Sequence, residues 1–330
     1  MPKTQDRRPK TWSLDMNNQS PALSRTRFSS LATALVVLLA TGLAIASTPQ
    51  GSFEKTFQVG SGPVDIEVQT HSGDIIVHSG ASGSVTVRGR IFVGDHWLFG
   101  NRHTDVSDIE QHPPIRQDGN SIHIDYVNAH DISVDYEITV PVDTTVRTRS
   151  GSGDQTIEGT RGNVDLQSGS GDLKLTQLTG EIRLQTGSGD VRAREIAGSL
   201  RGSAGSGEIE VEEIGSGDVV LHTGSGNIKA RGIQGSFRGE TGSGNITAEG
   251  TQSGAWEIRT GSGNVHVRLP NNAAFDVDLS SSSGTVQVDP AVTMTVQGRV
   301  QQEHKSIQGK VRGGGPMLTV RTGSGDIHIQ

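Results

Sequence analysis

The sequence predicts an all-β solenoid of the β-helix or β-roll kind, with capped ends and two short strands in each coil. A four-residue phrase, Gly-Ser-Gly followed by Asp, Glu or Asn, recurs every 18 or 19 residues between Gly151 and Asn264 and returns at Gly323. Apolar residues alternate after each phrase, as Leu173 and Leu175 do. A fixed short period indicates stacked coils, and alternation indicates strands with one buried face.

Glycine turns are expected to join the two strands of each coil. Glycine reaches positive φ without a steric clash, and the Asp or Asn after it tolerates left-handed geometry. Consecutive antiparallel hairpins are the alternative arrangement. The solenoid is favoured because like residues repeat in register. Ser or Thr precedes most of the phrases, at Ser150, Ser168, Thr186, Thr223, Thr241 and Thr260.

Alternating charge gives a test of the stacking. The fourth position after the Asp, Glu or Asn of each phrase reads Glu158, Thr176, Arg194, Glu212, Arg231, Glu249 and Arg268. From Arg194 onward the sign changes from coil to coil, so stacking predicts opposite charges on adjacent strands, each pair contributing about 0.2–1 kcal/mol. A nucleic-acid-binding stripe would keep one sign.

Composition fits a thin coil better than a thick globular core. Hydrophobic residues make up 32 % of the chain and aromatic residues 4 %, beside 45 glycines. Cysteine is absent, which excludes disulfides, thiolate catalysis and cysteine zinc sites. The formal charge of −7 disfavours nucleic acid and anionic membranes as partners.

The chain divides into four predicted parts. Residues 1–46 have a positive flank and the apolar run Leu31 to Ala46, ending in small residues, which is typical of an export signal cleaved after Ala46. The alternative is that this segment stays uncleaved as a membrane anchor, and only then would the chain contact the membrane. Translation starting at Met16 instead of Met1 is a second alternative. A linker (47–52), an N-terminal β region (53–148) with an insertion loop (94–118), and a regular solenoid (149–330) with a C-terminal capping coil follow. The protein is expected in the periplasm or at the cell surface.

Two stretches carry a family resemblance. They are YEITVPVDTTVRTRSGSGD, from Tyr136 to Asp154, and GGGPMLTVRTGSGDI, from Gly313 to Ile327. With the Ser-Gly-Ser-Gly-Asp coils between them, the chain resembles the DUF4097 family of candidate adhesins, which are β-solenoid repeat proteins. The resemblance covers roughly Phe53 to Gln330 and implies an exported or membrane-associated solenoid. It supplies no catalytic residues.

The acids of the repeated phrase are the first candidate site. Asp154, Asp172, Asp190 and Glu208 would form a row, and calcium favours six to eight carboxylate and carbonyl oxygens. Three later coils carry Asn227, Asn245 and Asn264 instead, which favours a turn-forming role. The same acids are the candidates for acid–base catalysis on a polysaccharide, although one acid in every coil is what a structural residue would give.

The insertion offers the second candidate. Trp97, Leu98 and Phe99 are either an interaction loop or a cap packed on the solenoid. His96, His103 and His112 match no standard metal spacing and indicate a solvated loop.

The function expected from these features is a non-catalytic, exported envelope module with a structural or adhesin-like binding role. Its partner would be an envelope glycan or protein. The first alternative is a calcium-stabilised β-roll, with calcium as the one cofactor considered. The second alternative is an envelope polysaccharide-acting enzyme.

Overall fold

A computed structural model describes residues 48–94, 102–127, 131–289, 294–295 and 306–330; the predicted export signal lies outside these residues. The described elements are β1 Gly51–Gln58, β2 Val64–Ser72, β3 Ile75–Ser79, β4 Ser84–Val93, α1 Arg102–Gln111, β5 Ile115–Asp118, β6 Ser121–Ile124, β7 Ile132–Val140, β8 Thr144–Ser152, β9 Gln155–Glu158, β10 Val164–Ser170, β11 Leu173–Thr179, β12 Ile182–Ser188, β13 Val191–Ala197, β14 Leu200–Ser206, β15 Ile209–Glu213, β16 Val219–Ser225, β17 Ile228–Ile233, β18 Phe237–Ser243, β19 Ile246–Gly250, β20 Trp256–Ser262, β21 Val265–Arg268, β22 Phe275–Ser283, β23 Val286–Val288, β24 Met294–Thr295, β25 Ser306–Val311, β26 Met317–Ser324 and β27 Ile327–Ile329.

The strands form two long sheets, and each coil gives one strand to each. Among the described residues, sheet I runs β1-β4-β7-β3-β9-β11-β13-β15-β17-β19-β21-β27-β23. Sheet II runs β24-β25-β22-β26-β20-β18-β16-β14-β12-β10-β8-β2-β6-β5. Leu175 pairs with Ala193, and Ala193 pairs with Val211, on parallel strands. The predicted β-solenoid is confirmed, and the alternative of consecutive antiparallel hairpins is wrong for these coils.

A single row of apolar side chains per strand position fills the space between the sheets. Leu173, Leu175 and Leu178 of one coil are all buried, as are Val191 and Ile196 of the next. Because a few aliphatic side chains in each coil fill the space between the two sheets, the chain needs only a low hydrophobic content.

The glycines of the repeated phrase are required by close approach of the coils. A Cβ atom on Gly187 would lie 2.5 Å from the carbonyl oxygen of Gly169 in the preceding coil, and Gly169 meets Gly151 in the same way. The last glycine of the phrase has positive φ in several coils, for example 126° at Gly153. The phrase therefore sets the spacing between coils.

Buried hydroxyl groups join the turns of adjacent coils. The Thr186 hydroxyl donates to the Gly171 carbonyl oxygen at 3.2 Å, and Thr241 donates to Gly226 at 3.0 Å. Thr223, Thr260 and Thr322 make equivalent bonds. Thr at this position therefore connects one coil to the preceding one, whereas the Ser150 hydroxyl bonds the Ser152 carbonyl oxygen of its own turn and Ser168 Oγ has no partner among the described residues. Each Thr bond satisfies a buried polar group.

The alternating charges are only partly paired as predicted. Arg268 lies 3.3 Å from Glu249 on the neighbouring strand, as expected. Arg231 is the register partner of Glu212, yet its ion pair at 3.1 Å is with Glu210. The register between β13 and β15 shifts after Ala193, which displaces the later positions of β15.

The chain interleaves at both ends of the solenoid. The coil β2–β3 lies between β6–β7 and β8–β9, although β6–β7 follows it in sequence by about forty residues. The last coil, β26–β27, lies between β20–β21 and β22–β23. The predicted C-terminal capping coil is corrected: β22–β23 lies outside the last coil, and the antiparallel strand β25 pairs with β22.

Three predicted boundaries also differ from the structure. The insertion 94–118 contains the helix α1 and the strand β5, so it is more than a loop. Val106 and Ile109 of the helix are buried, and Glu110 Oε1 accepts the Ser52 N–H of β1 at 2.8 Å. The helix therefore covers apolar residues at the open end of the solenoid, where no further coil would bury them. β1 begins inside the predicted linker 47–52, and β8 crosses the predicted boundary at 148 within one compact unit, Ser47–Gln330. In the part of the chain that is described, no helix is long and apolar enough to cross a bilayer.

We predict that Gly187→Ala lowers the free energy of unfolding by about 1–3 kcal/mol, because the new methyl group meets backbone of the preceding coil. Urea denaturation followed by circular dichroism measures the loss. Ser188→Ala, at the exposed middle position of the same phrase, is the matched control and should change little. Equal stability of the two variants would contradict the close approach.

Candidate functional site

The acids of the repeated phrase bind backbone rather than one another. Asp154 Oδ1 accepts the N–H of Asp172 at 2.8 Å, and Asp172 Oδ1 accepts the N–H of Asp190 at 2.8 Å. Asp190 Oδ1 accepts the Glu208 N–H at 2.9 Å. Asn227 does the same for Asn245 at 2.9 Å. An acceptor oxygen is the shared requirement, which explains why Asp and Asn interchange along the row.

Arginine occupies the other oxygens of two of these acids. Arg192 lies 3.3 Å from Asp172 Oδ2 and 2.7 Å from Asp190 Oδ2, and Lys229 pairs with Glu208. The sequence candidates for calcium are therefore brought into one row. Both carboxylate oxygens of Asp172 and Asp190, and one oxygen each of Asp154 and Glu208, are engaged by backbone N–H groups or cations. Within the described ranges, no three His, Asp or Glu side chains are grouped to hold a metal ion.

Most of the candidate residues in the insertion fall outside the part of the chain that the structure describes. Trp97, Leu98, Phe99 and His96, and the side chain of His103, lie outside the described residues. His112 is exposed, and its Nδ1 lies 3.2 Å from Asp108 Oδ1, one helical turn earlier in α1.

A groove that the sequence did not predict runs along sheet II, near the C-terminal ends of its strands and parallel to the solenoid axis. It has a volume of about 590 Å³ and crosses five strands, β8, β10, β12, β14 and β16. Its side wall is the outward row Arg149, Gln167, Gln185, Ser203 and His222, and its floor includes Gly169, Gly187, Gly205 and Gly224. The available signal was the uncharged run Gln167, Gln185 and Ser203 two positions before three successive phrases, where other coils carry Arg149, Glu240, Arg259 and Arg321.

An aromatic pair stands beside the N-terminal end of this groove. The rings of His71 and Tyr126 stack with centroids 4.4 Å apart and an interplanar angle of 25°. Tyr126 is 39 % exposed. His71 occupies the turn position held by Gly151 in the next coil, since a Cβ atom on Gly151 would lie 2.6 Å from the His71 carbonyl oxygen. The aromatic pair therefore continues the glycine row of the groove floor.

One buried carboxyl group interrupts the apolar rows. Glu213 is 3 % exposed and pairs in register with Ile196, which pairs in turn with Leu178. Its Oε1 accepts the Gly217 N–H at 3.1 Å, while Oε2 has no partner. Burial raises the pKa of Glu213 to about 7, with a further contribution from the nearby Asp218 carboxylate.

A family model describes the whole solenoid. The Toastrack DUF4097 model matches residues 32–197 and again residues 178–330, which together cover most of the chain. The chain belongs to the Toastrack DUF4097 family. The resemblance of the Ser-Gly-Ser-Gly-Asp coils to DUF4097 is thereby confirmed. A search of curated proteins found no match.

Three of the solved structures similar to this Toastrack chain come from bacteria of different genera. A candidate adhesin from Bacteroides fragilis is 13 % identical with a TM-score of 0.36, and the match covers 85 % of this chain and 98 % of that one. A candidate adhesin from Parabacteroides distasonis is 10 % identical with a TM-score of 0.32 and the same coverage. A candidate cell adhesion protein from Clostridium sporogenes is 12 % identical with a TM-score of 0.21, covering 84 % and 98 %.

We predict that Asp172→Ala lowers the free energy of unfolding by about 0.5–1.5 kcal/mol, because the Asp190 N–H loses its acceptor. Asp172→Asn keeps an acceptor oxygen and should cost less. Thermal melting of both variants, with millimolar calcium and with chelator, makes the comparison. A calcium-dependent melting temperature that Asp172→Asn abolishes would contradict the turn role and favour the calcium alternative.

The raised pKa of Glu213 predicts a pH-dependent stability. The folded state holds a proton that the unfolded state releases between pH 4.5 and about 7, so stability falls as pH rises through this window. The loss is up to about 3 kcal/mol. Glu213→Gln should be less sensitive to pH than the parent protein in urea denaturation at pH 5 and pH 8. Glu212 is exposed and lies one residue earlier, so Glu212→Gln should keep the pH dependence of the parent protein. The same pH dependence in all three proteins would contradict a raised pKa at Glu213.

Proposed function

We propose that the protein is a non-catalytic binding module of the bacterial envelope with an adhesin-like role, exported to the periplasm or cell surface. The observation that carries the proposal is the groove along sheet II. It presents the same backbone and the same outward position in five successive coils. A repeated, open surface of this kind matches an extended ligand better than a single small molecule.

The rigidity of this surface supports a binding role. Every strand along the groove pairs with a neighbour on each side, and the turns are joined by side-chain bonds between coils. A surface fixed before binding loses little conformational entropy when the ligand arrives. Export is supported by the apolar segment from Leu31 to Ala46 and its positive flank.

The acids considered for catalysis support the non-catalytic assignment. Asp154, Asp172 and Asp190 each use Oδ1 to hold the next turn, and Asn227 and Asn245 hold the next turn in the same way. General acid–base catalysis on a glycosidic bond needs two carboxyl groups in different environments on either side of that bond.

We expect the full-length protein to cosediment with insoluble envelope material from its own host and to leave the polymers at their original length. Ultracentrifugation measures binding, and size-exclusion chromatography of the polymers measures cleavage. Failure to cosediment would contradict the binding role. Release of shortened fragments, lost in Asp154→Asn or Asp172→Asn, would instead support the enzyme alternative.

A further inference from the structure

We infer that the groove along sheet II binds a linear, neutral polysaccharide lying parallel to the solenoid axis, with one end against the His71–Tyr126 pair. This inference rests on the proposed binding function and names the class of ligand. Its observations are the groove's direction, its side-chain chemistry, its charge balance and the aromatic pair at its end.

The direction of the groove favours a carbohydrate chain over a peptide strand. A peptide added to a sheet needs free backbone groups at a strand edge. Here the strands under the groove already pair with one another, and backbone groups just beyond its floor also bond between coils, as Gly171 N–H does to the Ser188 carbonyl oxygen at 3.2 Å and Gly189 N–H to that of Ser206 at 3.3 Å. The ligand must therefore be recognised by side chains. Strands of a sheet lie about 4.8 Å apart, close to the length that one hexopyranose unit adds to an extended glycan.

The central side chains have the donors and acceptors that sugar hydroxyl groups need. Gln167, Gln185 and Ser203 face outward on three successive strands. Within the described part of the chain, neither glutamine amide bonds to another residue, so both remain available to a ligand. An amide offers two N–H donors and one acceptor oxygen, and a hydroxyl group offers both roles.

The charge balance of the groove favours a neutral polymer. Arg149 at one end lies 3.2 Å from Glu67, and His222 at the other end lies 3.9 Å from Glu240. Each basic group thus has an acidic partner beside the groove, and the three positions between them are uncharged. A polymer with a carboxylate on every unit would find no matching row of cations and would meet an acidic protein.

The aromatic pair supplies the apolar contact that sugar rings also use. The exposed Tyr126 ring, supported by His71, offers a flat face with a hydroxyl at its rim. The C–H face of a pyranose ring can stack on such a surface while its hydroxyl groups reach the adjacent polar row. A polar groove with one exposed aromatic face at its end is therefore complementary to both sides of a sugar chain.

Isothermal titration calorimetry of the full-length protein with cello-oligosaccharides and chito-oligosaccharides, from disaccharide to hexasaccharide, tests the inference. We expect affinity to rise with length until about five units, one for each strand crossed, in at least one series. Ser203→Trp should fill the groove and lower affinity at least tenfold, and Tyr126→Ala should lower it several-fold. Thr247→Trp, outward on sheet I, is the matched control and should bind like the parent.

Other outcomes overturn the inference. Binding only to oligogalacturonate would contradict a neutral ligand, and binding only to unfolded casein would contradict a carbohydrate. No binding to any probe, or equal affinity in Ser203→Trp and Thr247→Trp, would remove the groove as the site. If Ser203→Trp still cosediments with envelope material as the parent does, the groove fails while the proposed binding function stands; if the parent itself does not cosediment, the proposed function fails.

Discussion

The close approach of successive turns is the constraint on which the rest of the structure depends. At each phrase the backbone of one coil comes so near the next that only hydrogen fits at the first glycine, as at Gly187 above Gly169. This contact fixes the distance between coils, and the Thr hydroxyl bonds and the Asp or Asn acceptor bonds then form at equivalent positions in successive coils. Sheet pairing, the rows of apolar residues and the outward rows all share this one spacing.

The interleaved ends address the weakness of any stacked structure. A terminal coil has a neighbour on one side only and is the first to open, because its exposed edge leaves backbone groups unpaired. Here the first and last coils of the described chain each have neighbours on both sides, supplied by β6–β7 and by β22–β23. Fraying from the C-terminal end must therefore separate two interfaces, whereas β1 at the other end of the described chain pairs with β4 alone. Antiparallel strands and the helix α1 cover what remains exposed.

The repeat predicted the stacking of Leu175, Ala193 and Val211 because spacing alone determines which residues lie over one another. It did not predict the interleaving, since the coil ending in Ile329 has the same pattern as an internal coil and carries no mark of its neighbours. The groove was missed for a related reason: Gln167, Gln185 and Ser203 form no motif in sequence, and only register across strands assembles them. Glu213 was hidden by the register shift after Ala193, which moved an acid into an inward position.

Departures from the repeat therefore carry more functional information than the repeat itself. A residue present in every coil, such as the acid or amide of the phrase, is explained by the turn it holds, and its chemistry is already used there. A residue that breaks the row has no such explanation. His71 replaces a turn glycine and stacks on Tyr126, while Ser203 and the two glutamines form an uncharged stretch of the outer row between Arg149 and His222. These exceptions meet at one edge of sheet II, which is why binding is assigned to that edge rather than to the more regular acidic row.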